Sequence, residues 1–278
     1  MAKIITSFLI PVYNEERHIS RCLDSLLSQT VRDIEIVVVD DGSTDSTPQI
    51  LSRYQDQRVV LFRQPNRGRV AARNKALELS RGKYVILQDA DDWSSPQRLN
   101  LQLSMAEKVG GKPVVGCGLT FHYETNEDKS VKFFPESNEK IRRTMARPIM
   151  ASAFGTMTML ALRSHICEVG GWREKFHVAA EDGDLINRLF EDSATRFSNV
   201  PAPVYHYYLN MGSITNKLHV TIPAQMFKRY CTRKRRRGLP EPASFEEYKH
   251  EVNCNIMRKM MFEIEYHAWV LYMQRQYK

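Results

Sequence analysis

Apolar positions along the first 120 residues alternate between two periods. Ile4–Ile10 is a short β-branched run that predicts a strand. In Glu16–Ser28, Ile19, Cys22, Leu23, Leu26 and Leu27 recur at helical spacing. Ile34–Val39 (IEIVVV) has the character of a strand buried on both faces. A helix over Ser46–Gln55, a strand over Val59–Phe62, a helix over Arg69–Leu79 and a strand over Tyr84–Gln88 follow. The series ends on a helix over Pro96–Lys108, with proline in its first turn. Strand–helix alternation of this kind means crossover units, hence an α/β fold with an open, mostly parallel sheet and helices on both faces.

From about Val114 the pattern loosens. Short strands are expected at Val114–Gly118, Leu119–Tyr123, Val131–Phe134, Thr156–Leu162, Thr195–Ser198 and Val204–Tyr208. Glu181–Glu191 is amphipathic, with Leu185, Ile186, Leu189 and Phe190 on one face. Pro223 onward reads as helix, broken by Gly238–Pro242. A long helix then runs from about Phe245 to near the C-terminus.

Composition narrows the class. The 278 residues are 42% hydrophobic and 26% charged, which excludes disorder as the main state and allows one large core with an appendage. Five scattered cysteines without a CxxC pair argue against a disulfide framework or structural zinc. No apolar run approaches a membrane span, and the N-terminal apolar segment is too short for a signal peptide. A soluble, cytoplasmic protein is the expectation. The net charge of +8 is concentrated in KRYCTRKRRR at 228–237, whose seven cations leave the rest of the chain near neutrality.

Each of the first four strands ends in a polar loop: PVYNE at 11–15, DDGSTD at 40–45, PNRG at 65–68 and DADD at 89–92. In an open parallel sheet such loops share the carboxyl edge, where ligands bind. Asp40, Asp41, Asp89, Asp91 and Asp92 therefore gather at one rim. Crowded carboxylates repel unless a cation or donors compensate, and Mg2+ commonly takes one or two carboxylates plus substrate phosphates. In an extended segment Asp89 and Asp91 would face one ligand while Ala90 packs away. The plainer reading makes Asp40–Asp45 an Asx turn and Asp92 a helix cap. It holds at least equally for Asp45 and Asp92, whereas Asp41, Asp89 and Asp91 favour a site. No glycine follows strand one, so neither a dinucleotide-binding GxGxxG nor a P-loop is present.

IPVYNEE, VVVDDGSTD, NRGRVAARNKAL and YVILQDADD, in that order, resemble the nucleotide-binding half of the inverting family 2 glycosyltransferases of GT-A fold. Gly170-Gly171-Trp172 followed by AEDGDL at 180–185 resembles the acceptor-side segment of that family. The likeness covers about residues 4–210. It implies a GT-A catalytic domain over 1–215, with nucleotide binding in about 1–112 and the acceptor part in about 113–215. Beyond about residue 215 the resemblance ends, and 216–278 is expected to be a basic, helical C-terminal extension.

The resemblance also implies roles. Pro11, Tyr13 and Glu15 would line the nucleotide pocket, Asp41 would hydrogen-bond uracil, and Asp89 would contact the ribose. Asp91 would coordinate Mn2+ or Mg2+ bridging the diphosphate, and Gly68 would let the backbone pass close to the ligand. Arg73 stands between a phosphate contact and a buried-edge ion pair. Asp182, with Glu181 as the alternative, would be the general base that deprotonates the acceptor hydroxyl, although an acid there can also simply cap a helix. The implied reaction moves a sugar from a nucleotide sugar, UDP-linked, to a glycan or lipid-linked acceptor in polysaccharide or glycolipid biosynthesis.

Other features carry two readings each. His206 could reach the metal or pack, Trp172 could stack on a sugar or anchor a turn, and Ser213 and Asn216 could close over the diphosphate or form an ordinary turn. The apolar residues of 256–273 beside the basic run suggest docking on the core, on a second subunit as a homo-oligomer, or on the anionic inner face of the cytoplasmic membrane. Two competing functions are nucleic-acid binding through KRYCTRKRRR and a non-catalytic scaffold. No recognised nucleic-acid motif accompanies the run, and retention of Asp89, Asp91 and Asp182 argues for catalysis.

Overall fold

The computed structural model describes residues 4–124, 129–146, 153–209 and 218–253. The first half is as the periodicity predicts. β1 (Thr6–Val12), α1 (Ile19–Leu27), β2 (Ile34–Asp40), α2 (Thr47–Leu51), β3 (Val59–Arg63), α3 (Arg69–Leu79) and β4 (Tyr84–Leu87) follow in turn. β1 pairs in parallel with both β2 and β4, and β2 with β3. Strand alternation divides the two faces. Phe8, Ile10, Ile36 and Val38 enter one core with Cys22, Leu23 and Leu51 from α1 and α2, while α3 packs on β1 and β2. Helix α2 stops at Leu51, short of the expected Gln55, because Arg53 and Tyr54 close the end with tight turn bonds to Ile50 and Leu51 carbonyls.

The second half departs further. After the two-residue β5 (Trp93–Ser94) and α4 (Arg98–Val109), β6 runs unbroken from Lys112 to Tyr123. Beyond it lie β7 (Lys129–Lys132), α5 (Asn138–Met145), β8 (Leu160–Leu162), α6 (Arg163–Glu168), α7 (Glu181–Glu191) and β9 (Thr195–Leu209). Among the described residues the sheet has the order β3-β2-β1-β4-β8-β6-β9-β5, with β7 on β6. β6 and β9 each replace two expected strands. They pair in parallel, and the register jumps from Cys117↔Val200 to Leu119↔Tyr205, so a bulge absorbs Pro201 and Pro203 without ending the ladder. Gly116 and Gly118 mark close approach, since a Cβ would lie 2.3 Å from Asn199 Oδ1 or 3.0 Å from the Ala202 carbonyl oxygen. Thr156–Thr158 is a 3-10 turn where strand was expected.

Contacts divide the chain into two compact units, residues 1–172 with 188–210, and 173–187 with 211–278. In the second unit, α8 (Leu218–Arg236) packs on α9 (Phe245–Asn253) through Phe227, Cys231, Tyr248 and Val252, joined by Phe176. Helix α8 starts before Pro223 and contains it. Of the long helix expected from about Phe245, the described residues contain Phe245–Asn253, and residues 254–278 lie outside them.

Candidate functional site

In the first unit, the β1 and β2 loops are stitched together. Asn14, in the left-handed region at φ 55°, donates its amide to Ser43 Oγ at 2.9 Å and accepts from Thr44 N at 2.8 Å. Glu15 N donates to Thr47 Oγ1 at 2.8 Å, and Asp45 accepts from Thr47 N at 2.9 Å and from Glu16 N at 3.1 Å. Glu15 is thereby fixed at the carboxyl edge with His18 Nδ1 2.9 Å from its Oε2. Tyr13 stands 46% exposed beside it, and Pro11 lies in the β1–β2 ladder opposite Val39.

Asp41 organises the third loop. It is 3% exposed and accepts from Gln64 Nε2 at 2.8 Å, Arg67 N at 2.9 Å and Gly68 N at 2.7 Å. Gly68 begins α3 at φ 88° and ψ 160°, a conformation that essentially only glycine holds, with open space where a Cβ would stand. Arg73, one turn into α3, is buried and bonds Asp89 Oδ1 at 3.0 Å, which is the ion-pair reading.

The fourth loop is a tight turn closed by Asp92 N on the Asp89 carbonyl at 3.2 Å, not the extended segment expected. Ala90 packs into the core, as anticipated. Burial, then Asp89 and Glu15, push the Asp91 carboxyl up to about 7. Burial, then Asp45 and Asp89, push Glu15 up to about 7 as well. Burial and the neighbouring acids therefore disfavour the charge of Glu15 and of Asp91 at one rim. Among the described residues, no group of three or more His, Cys, Asp or Glu is arranged to hold a metal ion. Substrate oxygens would have to complete any cation's shell.

Asp92 is not a helix cap. It is fully buried, accepts from Tyr205 Oη at 2.6 Å and Tyr208 N at 2.7 Å, and has its pKa raised first by burial and then by Asp91 and Asp89. His206 is packed. It stacks on Trp93 at 5.1 Å and lies 3.0 Å from Ser95 Oγ and 3.1 Å from His122 Nε2, and burial, then His122, lowers its pKa to about 4. Arg21 lies 3.8 Å from the Trp93 ring centroid and donates to the Asp91 carbonyl at 2.8 Å. Periodicity gives no signal for Arg21 or Trp93, and of the three only Tyr205 lies in a conspicuous sequence feature, the tyrosine-rich VYHYY run.

Trp172 anchors a turn. Only 2% is exposed, and Asn74 holds both its main-chain groups, donating to the carbonyl at 2.7 Å and accepting from the amide at 3.0 Å. A ring so buried has no face left for a sugar. Ser213 and Asn216 lie outside the described residues.

In the second unit, α7 opens with Glu181, 2% exposed, and the partly buried Asp182. Ala180 just before them holds φ 75°, a left-handed strain of about 1–2 kcal/mol for a residue with a Cβ. Arg173 pairs with the buried Asp184, and Glu241 accepts from Lys175 at 2.8 Å and Arg235 at 2.7 Å. The basic run is not one solvated patch. Lys228 is buried, its pKa lowered by burial to about 8, and Lys234 pairs with Glu251 at 2.8 Å. Arg233, Arg236 and Arg237 remain exposed because they fall on the outer face of α8 and just past its end.

The model of glycosyl transferase family 2 matches residues 7–167. Glycosyltransferase EpsH of Bacillus subtilis is 27% identical over 263 residues, covering 90% of this chain and 74% of its own length. Among solved structures, S. aureus TarS in complex with UDP-GlcNAc is similar at TM-score 0.60 and 19% identity, covering 81% of this chain and 64% of that one. The mannosyltransferase PcManGT of Pyrobaculum calidifontis, in complex with GDP-Man and Mn2+, is similar at TM-score 0.63 and 20% identity, covering 96% and 74%. The two structures share the fold: a sheet begun by parallel strands, with helices on both faces.

Proposed function

The chain belongs to glycosyl transferase family 2, and on that premise we propose that it is an inverting transferase that takes a sugar from a UDP-sugar. The acceptor is a hydroxyl of a glycan or lipid-linked glycan, in polysaccharide or glycolipid biosynthesis. One observation carries the reading: Glu15, Asp89 and Asp91 converge where the carboxyl edge of the parallel strands receives ligands, and burial together with the neighbouring acids raises the pKa of Glu15 and of Asp91.

In this reading Tyr13 and Pro11 flank the base, and Asp41 fixes the Pro65–Gly68 loop against it. Asp89, steadied by Arg73, takes the ribose. The donor set fits a divalent cation, since a positive ion would offset the burial, and then the repulsion from Asp89 and Glu15, that push the Asp91 carboxyl up to about 7. Mn2+ or Mg2+ held by Asp91 and the diphosphate oxygens would neutralise charge developing on the leaving group. Asp182 accepts the proton of the acceptor hydroxyl as its oxygen attacks the anomeric carbon, and Glu181 is the neighbour it must be told apart from.

The test is release of UDP or GDP from a panel of UDP- and GDP-sugars, with Mn2+ or with a chelator. Metal-requiring UDP release supports the proposal. Release from GDP-sugars alone overturns the UDP assignment, and release indifferent to chelator removes the metal.

Attachment to the anionic inner face of the cytoplasmic membrane is a second part of the proposal, favoured by the exposed Arg233, Arg236 and Arg237. Each cation near such a surface contributes about 1 kcal/mol. No described helix is long and apolar enough to cross a membrane. Sedimentation with anionic vesicles should bring the protein down at low salt, and recovery in the supernatant would refute attachment.

A further inference from the structure

The Asp89–Asp92 turn is fastened from below by a strand far away in sequence. The Tyr205 hydroxyl accepts the amide hydrogen of Asp89 at 3.3 Å and donates to Asp92 Oδ2 at 2.6 Å. The other Asp92 oxygen accepts from Tyr208 N at 2.7 Å. Directly after the turn, β5 pairs with the same stretch of β9, Trp93 opposite His206 and Ser94 opposite Tyr205. The Tyr205 ring is fully buried, with the Arg98 guanidinium 4.7 Å from its centroid. Arg98 in turn donates to Gln88 Oε1 at 2.8 Å, immediately before the turn.

A carboxyl with no exposure beside two further acids is a costly choice. A well-packed apolar pair would avoid the desolvation altogether. What Asp92 and Tyr205 provide in return is geometry, because each bond constrains where the Asp89 and Asp91 main chain stands. Groups that orient a ligating carboxylate commonly matter nearly as much as the carboxylate itself.

We infer that Tyr205 is a positioning residue for the reaction: clamped between the Asp89 amide and the Asp92 carboxyl, it sets the turn that presents Asp89 to the donor ribose and Asp91 to the diphosphate and its cation. This rests on the donor reading above. Tyr205 itself touches no substrate.

Tyr205→Phe keeps the buried ring and removes only the hydroxyl. The control is Ser7→Ala, which removes a buried hydroxyl bonded to Glu35 Oε1 at 2.6 Å, near the start of β1 and away from the loops that follow its other end. Mn2+ affinity in the presence of UDP, or of GDP, is read from the electron paramagnetic resonance of free Mn2+, alongside thermal melting. Tyr205→Phe should weaken Mn2+ binding by about 10–100-fold, whereas Ser7→Ala should keep wild-type affinity at a comparable loss of melting temperature. Asp92→Asn, which retains an oxygen acceptor, serves if Tyr205→Phe does not fold, and should weaken Mn2+ in the same direction. Wild-type affinity in the variant, or an equal loss in Ser7→Ala, overturns the inference while the donor reading stands. A wild type that binds no Mn2+ with either nucleotide overturns both.

Discussion

Asp41 Oδ2 accepts the amide hydrogen of Gly68 at 2.7 Å, tying the loop after β2 to the start of α3. Two further donors, Gln64 and the Arg67 amide, meet its other oxygen. The carboxylate thus acts first as an organiser of backbone. In Asp41→Asn, one side-chain oxygen becomes an NH2 group facing N–H donors. Denaturant unfolding should show a loss of about 1–3 kcal/mol, as for a buried unsatisfied donor. Calorimetry should show weaker UDP binding, and wild-type values of both would remove this role.

The two glycines of these loops differ in what they avoid. At Gly42, φ is 77° and a Cβ would lie 2.7 Å from the Asn66 amide nitrogen, whereas at Gly68 only the backbone conformation forbids a side chain. Gly68→Ala should cost about 1–3 kcal/mol, the usual range for a strained backbone. Gly42→Ala should cost more, because loop 64–66 must also move. Melting curves of the two variants order the effects, and the reverse order would contradict this account.

If Asp182 is the base, Asp182→Asn should lower transfer by about 10²–10⁴-fold while UDP affinity persists. Glu181→Gln then tests the assignment, since Glu181 is the more buried of the two. An active Asp182→Asn beside a dead Glu181→Gln would shift the role by one residue.

Glu241 supplies a pH dependence. Burial raises its pKa, but hydrogen bonds from Lys175, Arg173 and Arg235 outweigh it and hold the group at about 2, against an ordinary 4.5. A carboxylate whose folded pKa is depressed contributes stability that is complete above the unfolded value and is lost as pH falls toward the folded one. The melting-temperature advantage of wild type over Glu241→Gln should therefore be steady at neutral pH and shrink from about pH 4.5 toward 2. An advantage that stays constant across that window would rule out the ion network as its source.

Legibility in the sequence followed locality. Arg69–Leu79 and Glu181–Glu191 could be bounded correctly because periodicity, an opening glycine or an acidic first turn mark those ends within the segment itself. Asp92 could not. Pro96 after it suggests a helix cap, whereas its buried carboxyl is met by the hydroxyl of Tyr205, distant in the chain. The same holds for β9, where Pro201 and Pro203 signal an ending that the bulge against Gly118 makes unnecessary.

By itself the sequence determined the strand–helix alternation, the parallel strands that follow from it, and the loops that bring Glu15, Asp41, Asp89 and Asp91 to one edge. These are set by hydrophobic period and chain direction, which are local properties. Tertiary structure alone decided which charges meet: that Arg73 answers Asp89, that Asp92 is buried under a tyrosine, and that Lys228, Lys234 and Arg235 leave the solvated patch for acids or for burial. Pairing and desolvation depend on contacts between residues far apart in the chain, and no periodicity encodes them.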